Sequence, residues 1–169
     1  MSPSADPPPD REILDWATFG SAARELAHVV HDSGFRPDIV LAIARGGLTV
    51  AGAIAYALGI KNCSAINVEF YTGVESRLEM PVLLPPTLNL VDIQGARVLV
   101  ADDVADTGHT LRLVREVIAQ HVAEARTVVL FHKPRSVVVP DYAWKQTDRW
   151  IDFPWSDQPP VTDPTASGA

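Results

Sequence analysis

The sequence predicts an α/β fold, a mostly parallel twisted sheet flanked by helices. Three observations predict it. Apolar, branched runs without polar alternation recur at Asp38–Ala44, Arg97–Ala101 and Thr127–Phe131, as in strands buried on both faces. Segments of helical periodicity lie between such runs. Two unusual loops, ARGG (Ala44–Gly47) and DDVADTGHT (Asp102–Thr110), each follow a strand and precede a helix. In parallel sheets with right-handed crossovers, ligands sit at those carboxyl ends.

Taken in order, Phe19, Ala22, Ala23, Leu26, Ala27, Val29 and Val30 mark a first helix face, which Gly34 stops. A strand over Asp38–Ala44 follows, and Arg45-Gly46-Gly47 turns the chain into a second helix at about Leu48–Leu58, closed by Gly59. The next strand is expected near Ser64–Val68. The stretch from Glu69 to Asp92 is less regular, broken by Gly73, Pro81, Pro85 and Pro86. Gln94-Gly95 turns into the strand Arg97–Ala101, which enters the acidic loop. Leu111, Val114, Val117, Ile118 and Val122 mark a third helix, Thr127–Phe131 a strand, and Trp150–Phe153 a last one.

The chain of 169 residues is 47% hydrophobic and 21% charged, enough for one domain with a real core. The proline-rich ends, residues 1–12 and 156–169, lack large apolar side chains and are expected to be disordered tails around a folded span of 13–155. No apolar run approaches the roughly 20 residues of a membrane helix, and MSPSADPPPD lacks the features of a signal peptide, so no membrane partner is expected. One cysteine, Cys63, permits no internal disulfide and suits a reducing cytoplasm. A net charge of -7 argues against nucleic acid as a partner. Any anionic ligand must be held by loop amides, helix N-termini and a few placed cations.

Val98–Leu111 carries the most information. Gly108 permits close backbone approach, the amides at a helix start form an anion cradle, and Thr107 and Thr110 can donate to phosphate oxygens. The carboxylates Asp102 and Asp103 suit vicinal hydroxyls or a hydrated magnesium ion instead. A ribose 5-phosphate presents the same distribution of groups. A lone Asp-Thr-Gly would be no more than a helix cap; the whole order of strand, acid pair, small residues, Asp106-Thr107-Gly108 and Thr110 is far more specific.

This segment resembles the phosphoribosyl pyrophosphate (PRPP) motif of the type I phosphoribosyltransferases, and the segments Phe131–Pro134 and Asp148–Trp155 look like the purine site of the xanthine-guanine and hypoxanthine (6-oxopurine) enzymes. The resemblance implies their fold, with a flexible hood, and transfer of phosphoribose from PRPP to hypoxanthine, guanine or xanthine in purine salvage. It implies that Asp102 and Asp103 hold the ribose hydroxyls with magnesium (Mg2+) nearby, and that Val104, Ala105, Asp106, Thr107, Gly108, His109 and Thr110 wrap the 5′-phosphate end. Asp106 would be catalytic, managing the proton of the incoming base. His109 departs from the Lys or Gly common in relatives, and an imidazole can still reach phosphate.

Arg45, Gly46 and Gly47 fit the family's pyrophosphate loop, in which the peptide before the arginine position is often cis. Glu69 to about Pro86 looks like the hood, with Arg77 as its one cation and Tyr71 beside it. Lys133, just past a strand end, matches the lysine that meets the purine O6 in relatives. Trp150 matches the stacking aromatic, with the backbone of Ile151 reading the far ring edge. His121 and His132 show no metal-site spacing; they and Cys63 are expected to be structural, and Trp16 and Trp144 to seal the core or a subunit contact. Relatives are often dimers or tetramers, so a homo-oligomer is expected. Two rivals are a PRPP-sensing regulator of the same fold and a transferase with a non-purine acceptor. The sensor finds no support in the acidic charge or in any added DNA-binding segment.

Overall fold

The computed structural model describes residues 10–71, 80–84 and 89–162. In chain order the elements are β1 (Arg11–Ile13), α1 (Trp16–Asp32), β2 (Ile39–Ala44), α2 (Gly46–Leu58), β3 (Cys63–Tyr71), β4 (Met80–Leu84), β5 (Arg97–Ala105), α3 (His109–Ile118), β6 (Glu124–His132), β7 (Tyr142–Gln146) and β8 (Trp150–Asp152). They fall into two compact units, one of residues up to Phe19 together with Arg149 onward, the other of Gly20–Asp148.

The larger unit is built on a six-stranded sheet in the order β4-β3-β2-β5-β6-β7. Five strands are parallel, and β4 runs antiparallel to β3 at the edge. The central strands are β2 and β5, with Ile39 beside Val98 and Ala42 beside Ala101. Side chains alternate across the sheet. Ile39, Leu41, Ile43, Val98 and Val100 therefore share one face, where they pack with Leu111, Val114 and Ile118 of α3. Each such burial contributes about 1.5–3 kcal/mol. α2 packs on β2 and β5. At the far edge Ser33, just past α1, shares a hydrogen bond with the Tyr142 hydroxyl of β7, and Trp144 Nε1 donates to Glu25 of α1.

The expected mostly parallel sheet flanked by helices is present, with local corrections. β5 continues through Ala105, so the acid pair ends a strand rather than opening a loop; Asp102 pairs in register with Val129 and Ala105 with His132. α2 begins at Gly46 instead of Leu48, so both glycines form its first turn. Val122 lies beyond α3, its N–H bonded to the Ile118 carbonyl. Three strands were not expected: β1, which lies mostly in the expected N-terminal tail; β4, an edge strand that contains Pro81; and β7. Cys63 is exposed rather than core; Trp16 is exposed too, which sets aside the core, one of its two expected roles.

In the smaller unit β1 and β8 form a separate parallel pair, so Trp150–Asp152 is not the last strand of the main sheet. Arg11 and Glu12, assigned above to the N-terminal tail, belong to this strand pair. Arg11 pairs with Asp152, and Phe153 stacks on Trp155, which meets Trp16 and Phe19 edge-on. No helix among the described residues is long and apolar enough to cross a membrane.

Candidate functional site

A cleft of about 660 Å³ opens at the carboxyl ends of β2 and β5. Its wall is the end of β2 and start of α2 (Ile43–Gly46), Val68 of β3, and the continuous stretch Asp102–Leu111. The two loops singled out from the sequence thus face one space.

Their approach is close enough to dictate glycine. A Cβ on Gly46 would lie 1.9 Å from Asp103 Oδ2, and one on Gly47 would lie 2.4 Å from the Ala101 carbonyl oxygen. Gly47 is therefore packed behind the cleft wall rather than on it. The Ala44–Arg45 peptide is cis. Arg45 precedes the first turn of α2 without a side-chain cap, and its carbonyl accepts the Leu48 N–H at 3.0 Å; with Arg45 and Gly46 on the cleft lining, the positive end of the helix dipole lies at the cleft.

On the opposite wall Gly108 adopts the left-handed conformation, φ 82°, and precedes α3. A Cβ there would meet Ser136 Oγ at 2.4 Å and the Val138 amide at 2.9 Å. Thr107, Gly108, His109 and Thr110 thus present a second helix start to the same cavity. His109 Nδ1 lies 3.1 Å from an Arg112 nitrogen, so that imidazole already has a cationic neighbour.

The acid pair shapes the floor. Asp102 is buried, 8% exposed, and its Oδ1 accepts the Asp103 N–H at 2.9 Å. Asp103 Oδ1 in turn accepts the Val104 N–H at 2.8 Å. Burial first, and then the neighbouring Asp103 charge, raise the Asp102 pKa well above the usual carboxylate range. A buried acid beside a second acid suits a ligand that brings hydroxyl donors or a cation. Among the described residues no cluster of three or more ligating side chains forms a metal cage. Two carboxylates are nonetheless enough for Mg2+, which retains waters and shares its shell with substrate phosphates.

Asp106, on the cleft lining, is engaged by a residue that sequence reasoning missed. Arg135 donates from Nε at 2.8 Å, and from a terminal nitrogen, to Asp106 Oδ1. The two residues lie 29 positions apart, so no local spacing announces the pair. Lys133 is buried, 7% exposed. It is not on the described lining, but its backbone N–H bonds to the carbonyl of Ala105, which is. Trp150 and Ile151 stand on β8 in the smaller unit, where Trp150 is exposed and Ile151 is buried opposite Glu12. Arg77 lies outside the described residues, as does most of the expected hood; Glu69–Tyr71 and Met80–Leu84 are the ends of β3 and β4.

Comparison with known proteins agrees with this geometry. A model of the phosphoribosyl transferase domain matches residues 10–161. A xanthine-guanine phosphoribosyltransferase of Idiomarina loihiensis is 31% identical over 145 residues, covering 85% of each chain. The crystal structure of a purine phosphoribosyltransferase from Pyrococcus horikoshii superposes with a TM-score of 0.77 at 35% identity, covering 91% of this chain and 99% of that one. A xanthine-guanine-hypoxanthine phosphoribosyltransferase of Helicobacter pylori shares the fold, with a TM-score of 0.72 at 21% identity over 86% of this chain and 94% of its own.

Proposed function

The chain belongs to the phosphoribosyl transferase domain family, and from that premise we propose that it transfers the phosphoribosyl group of PRPP to a 6-oxopurine base, hypoxanthine, guanine or xanthine. The observation that carries this is the single cleft shared by Arg45–Gly46 and Asp102–Thr110, at the strand tips of a chain similar to named purine phosphoribosyltransferases.

In the reaction the base nitrogen forms a bond to the ribose C1′ while the C1′–oxygen bond to pyrophosphate breaks, its electron pair leaving with pyrophosphate. Charge builds on the sugar as in an oxocarbenium ion. Asp102 and Asp103 hold the ribose hydroxyls, and the Asp103 carboxylate lies where the sugar becomes positive. The amides and hydroxyls of Val104–Thr110 bind the 5′-phosphate, with His109 on its rim. Arg45, with the amide of Gly46, receives the departing pyrophosphate. Asp106 accepts the ring proton of the base, and Lys133 meets the purine oxygen. Mg2+, held by Asp102 and Asp103, would neutralise phosphate charge when bound. A cytoplasmic homo-oligomer completes the proposal.

The test is pyrophosphate release with PRPP, Mg2+ and each of hypoxanthine, guanine, xanthine, adenine and orotate. Turnover with a 6-oxopurine is expected. PRPP binding without turnover of any base would replace transfer by sensing, and turnover of orotate alone would overturn the purine assignment.

A further inference from the structure

Asp106 and Arg135 are held together by a frame of backbone bonds. The N–H of Lys133 donates to the Ala105 carbonyl at 2.9 Å, and that of Val137 to the Thr107 carbonyl at 2.8 Å, one on each side of the pair. Between them a tight turn is closed by the Ser136 N–H on the Lys133 carbonyl at 3.0 Å, and Ser136 Oγ donates to the Val138 carbonyl at 2.7 Å. Both Arg135 bonds go to the same oxygen, Oδ1. An ion pair this open, with side chains 66% and 47% exposed, adds little to folding stability. A forked clamp on one oxygen nevertheless fixes the rotation of a carboxylate.

We propose that Arg135 is a positioning residue for the transfer step: by occupying Asp106 Oδ1 it presents Oδ2 to the N–H of the acceptor base. This role rests on the phosphoribosyl-transfer function of the cleft. As the C1′–nitrogen bond forms and pyrophosphate leaves with its electron pair, the base proton passes to the Oδ2 that Arg135 has aimed. A freely rotating carboxylate reaches that geometry less often, and misplacement of a catalytic group by about 1 Å can lower a rate on the order of a hundredfold. Arg135 touches neither substrate nor reacting atoms in this role, so its loss acts on turnover and leaves PRPP affinity alone.

The experiment compares R135M, R135K, D106N and R135M/D106N with the wild type, measuring kcat, KM for PRPP and melting temperature. R135M is expected to lower kcat roughly 10–100-fold, with KM for PRPP within about twofold and melting temperature unchanged. R135K, which keeps charge but not the fork, is expected to recover part of the loss. The double variant is expected to be no slower than D106N, because both changes disable one unit. Wild-type-like kcat in R135M, additive losses in the double variant, or a kcat loss that follows a fall in melting temperature would each overturn the role. A wild type inactive with every purine removes the transferase function and this role with it, whereas an active wild type beside an unaffected R135M removes the role alone.

Discussion

Gly46 and Asp103 meet so closely that a single methyl group on the glycine would fall 1.9 Å from the aspartate Oδ2. The start of α2 and the Asp103 carboxylate at the end of β5 therefore share one wall of the cleft with no room for a side chain between them. Gly46→Ala must push the Asp103 carboxylate aside, away from the place the proposed function gives it against the ribose. The expected result is a fall in kcat/KM of on the order of a hundredfold, with weaker PRPP binding by calorimetry. An Ala variant with wild-type kinetics would show that the approach is incidental.

Asp106→Asn keeps the size of the side chain and removes its ability to take a proton. Turnover is expected to fall about 10²–10⁴-fold, while the dissociation constant for PRPP stays near that of the wild type. An equal loss of both in steady-state and binding measurements would reduce Asp106 to a shaping residue of the phosphate loop.

Asp102 is buried beside another acid, and its charge is disfavoured by both circumstances. Asp102→Asn keeps an oxygen for the Asp103 N–H and discards the charge. The ligand-free variant should melt about 2–4 °C higher, the shift that ~1 kcal/mol produces in a chain of this size, yet bind PRPP more weakly. Stability and function oppose each other at such positions. A variant that melts lower in the absence of ligand would contradict the assigned burial cost.

At the other end of the same strands Asp38 accepts three hydrogen bonds from Arg97, from its backbone N–H, Nε and a terminal nitrogen. Those bonds, the side-chain ones foremost, lower the Asp38 pKa from 3.8 to about 2. Because the folded value is the lower one, the stabilisation is present above the unfolded value and disappears as pH falls from about 4 toward 2. Asp38→Asn should therefore melt below the wild type at pH 6, with the gap closing across that acid window. A gap independent of pH would reject the linkage.

Much of this was legible before any coordinates, for a physical reason. Parallel strands covered on both faces leave unbroken apolar runs, so Ile39–Ala44 and Thr127–Phe131 announce themselves. Ligand loops at their ends must depart from that pattern, as Arg45–Gly47 and Asp106–Thr110 do. The limits of β5 were hidden because Asp102 and Asp103 look like loop residues; only the ladder with Val129, Phe131 and His132 keeps the strand going. β4 was missed because Pro81 reads as a break although it stands in an edge strand paired with its neighbour β3; β8 was misplaced because its pairing is non-local, Trp150 lying beside Arg11 from the opposite end of the chain. Arg135 was invisible for the same reason: its partner is set by how the turn after β6 lies against the turn after β5, and nothing in Lys133-Pro134-Arg135 declares it.

The most direct measurement is the crystal structure of a complex with PRPP. The 5′-phosphate is expected on the amides of Thr107–Thr110 and the pyrophosphate on Arg45 and Gly46, with the ribose between them over Asp102 and Asp103. PRPP density seated on only one of the two loops, or outside their shared cleft, would contradict the proposed function at its root.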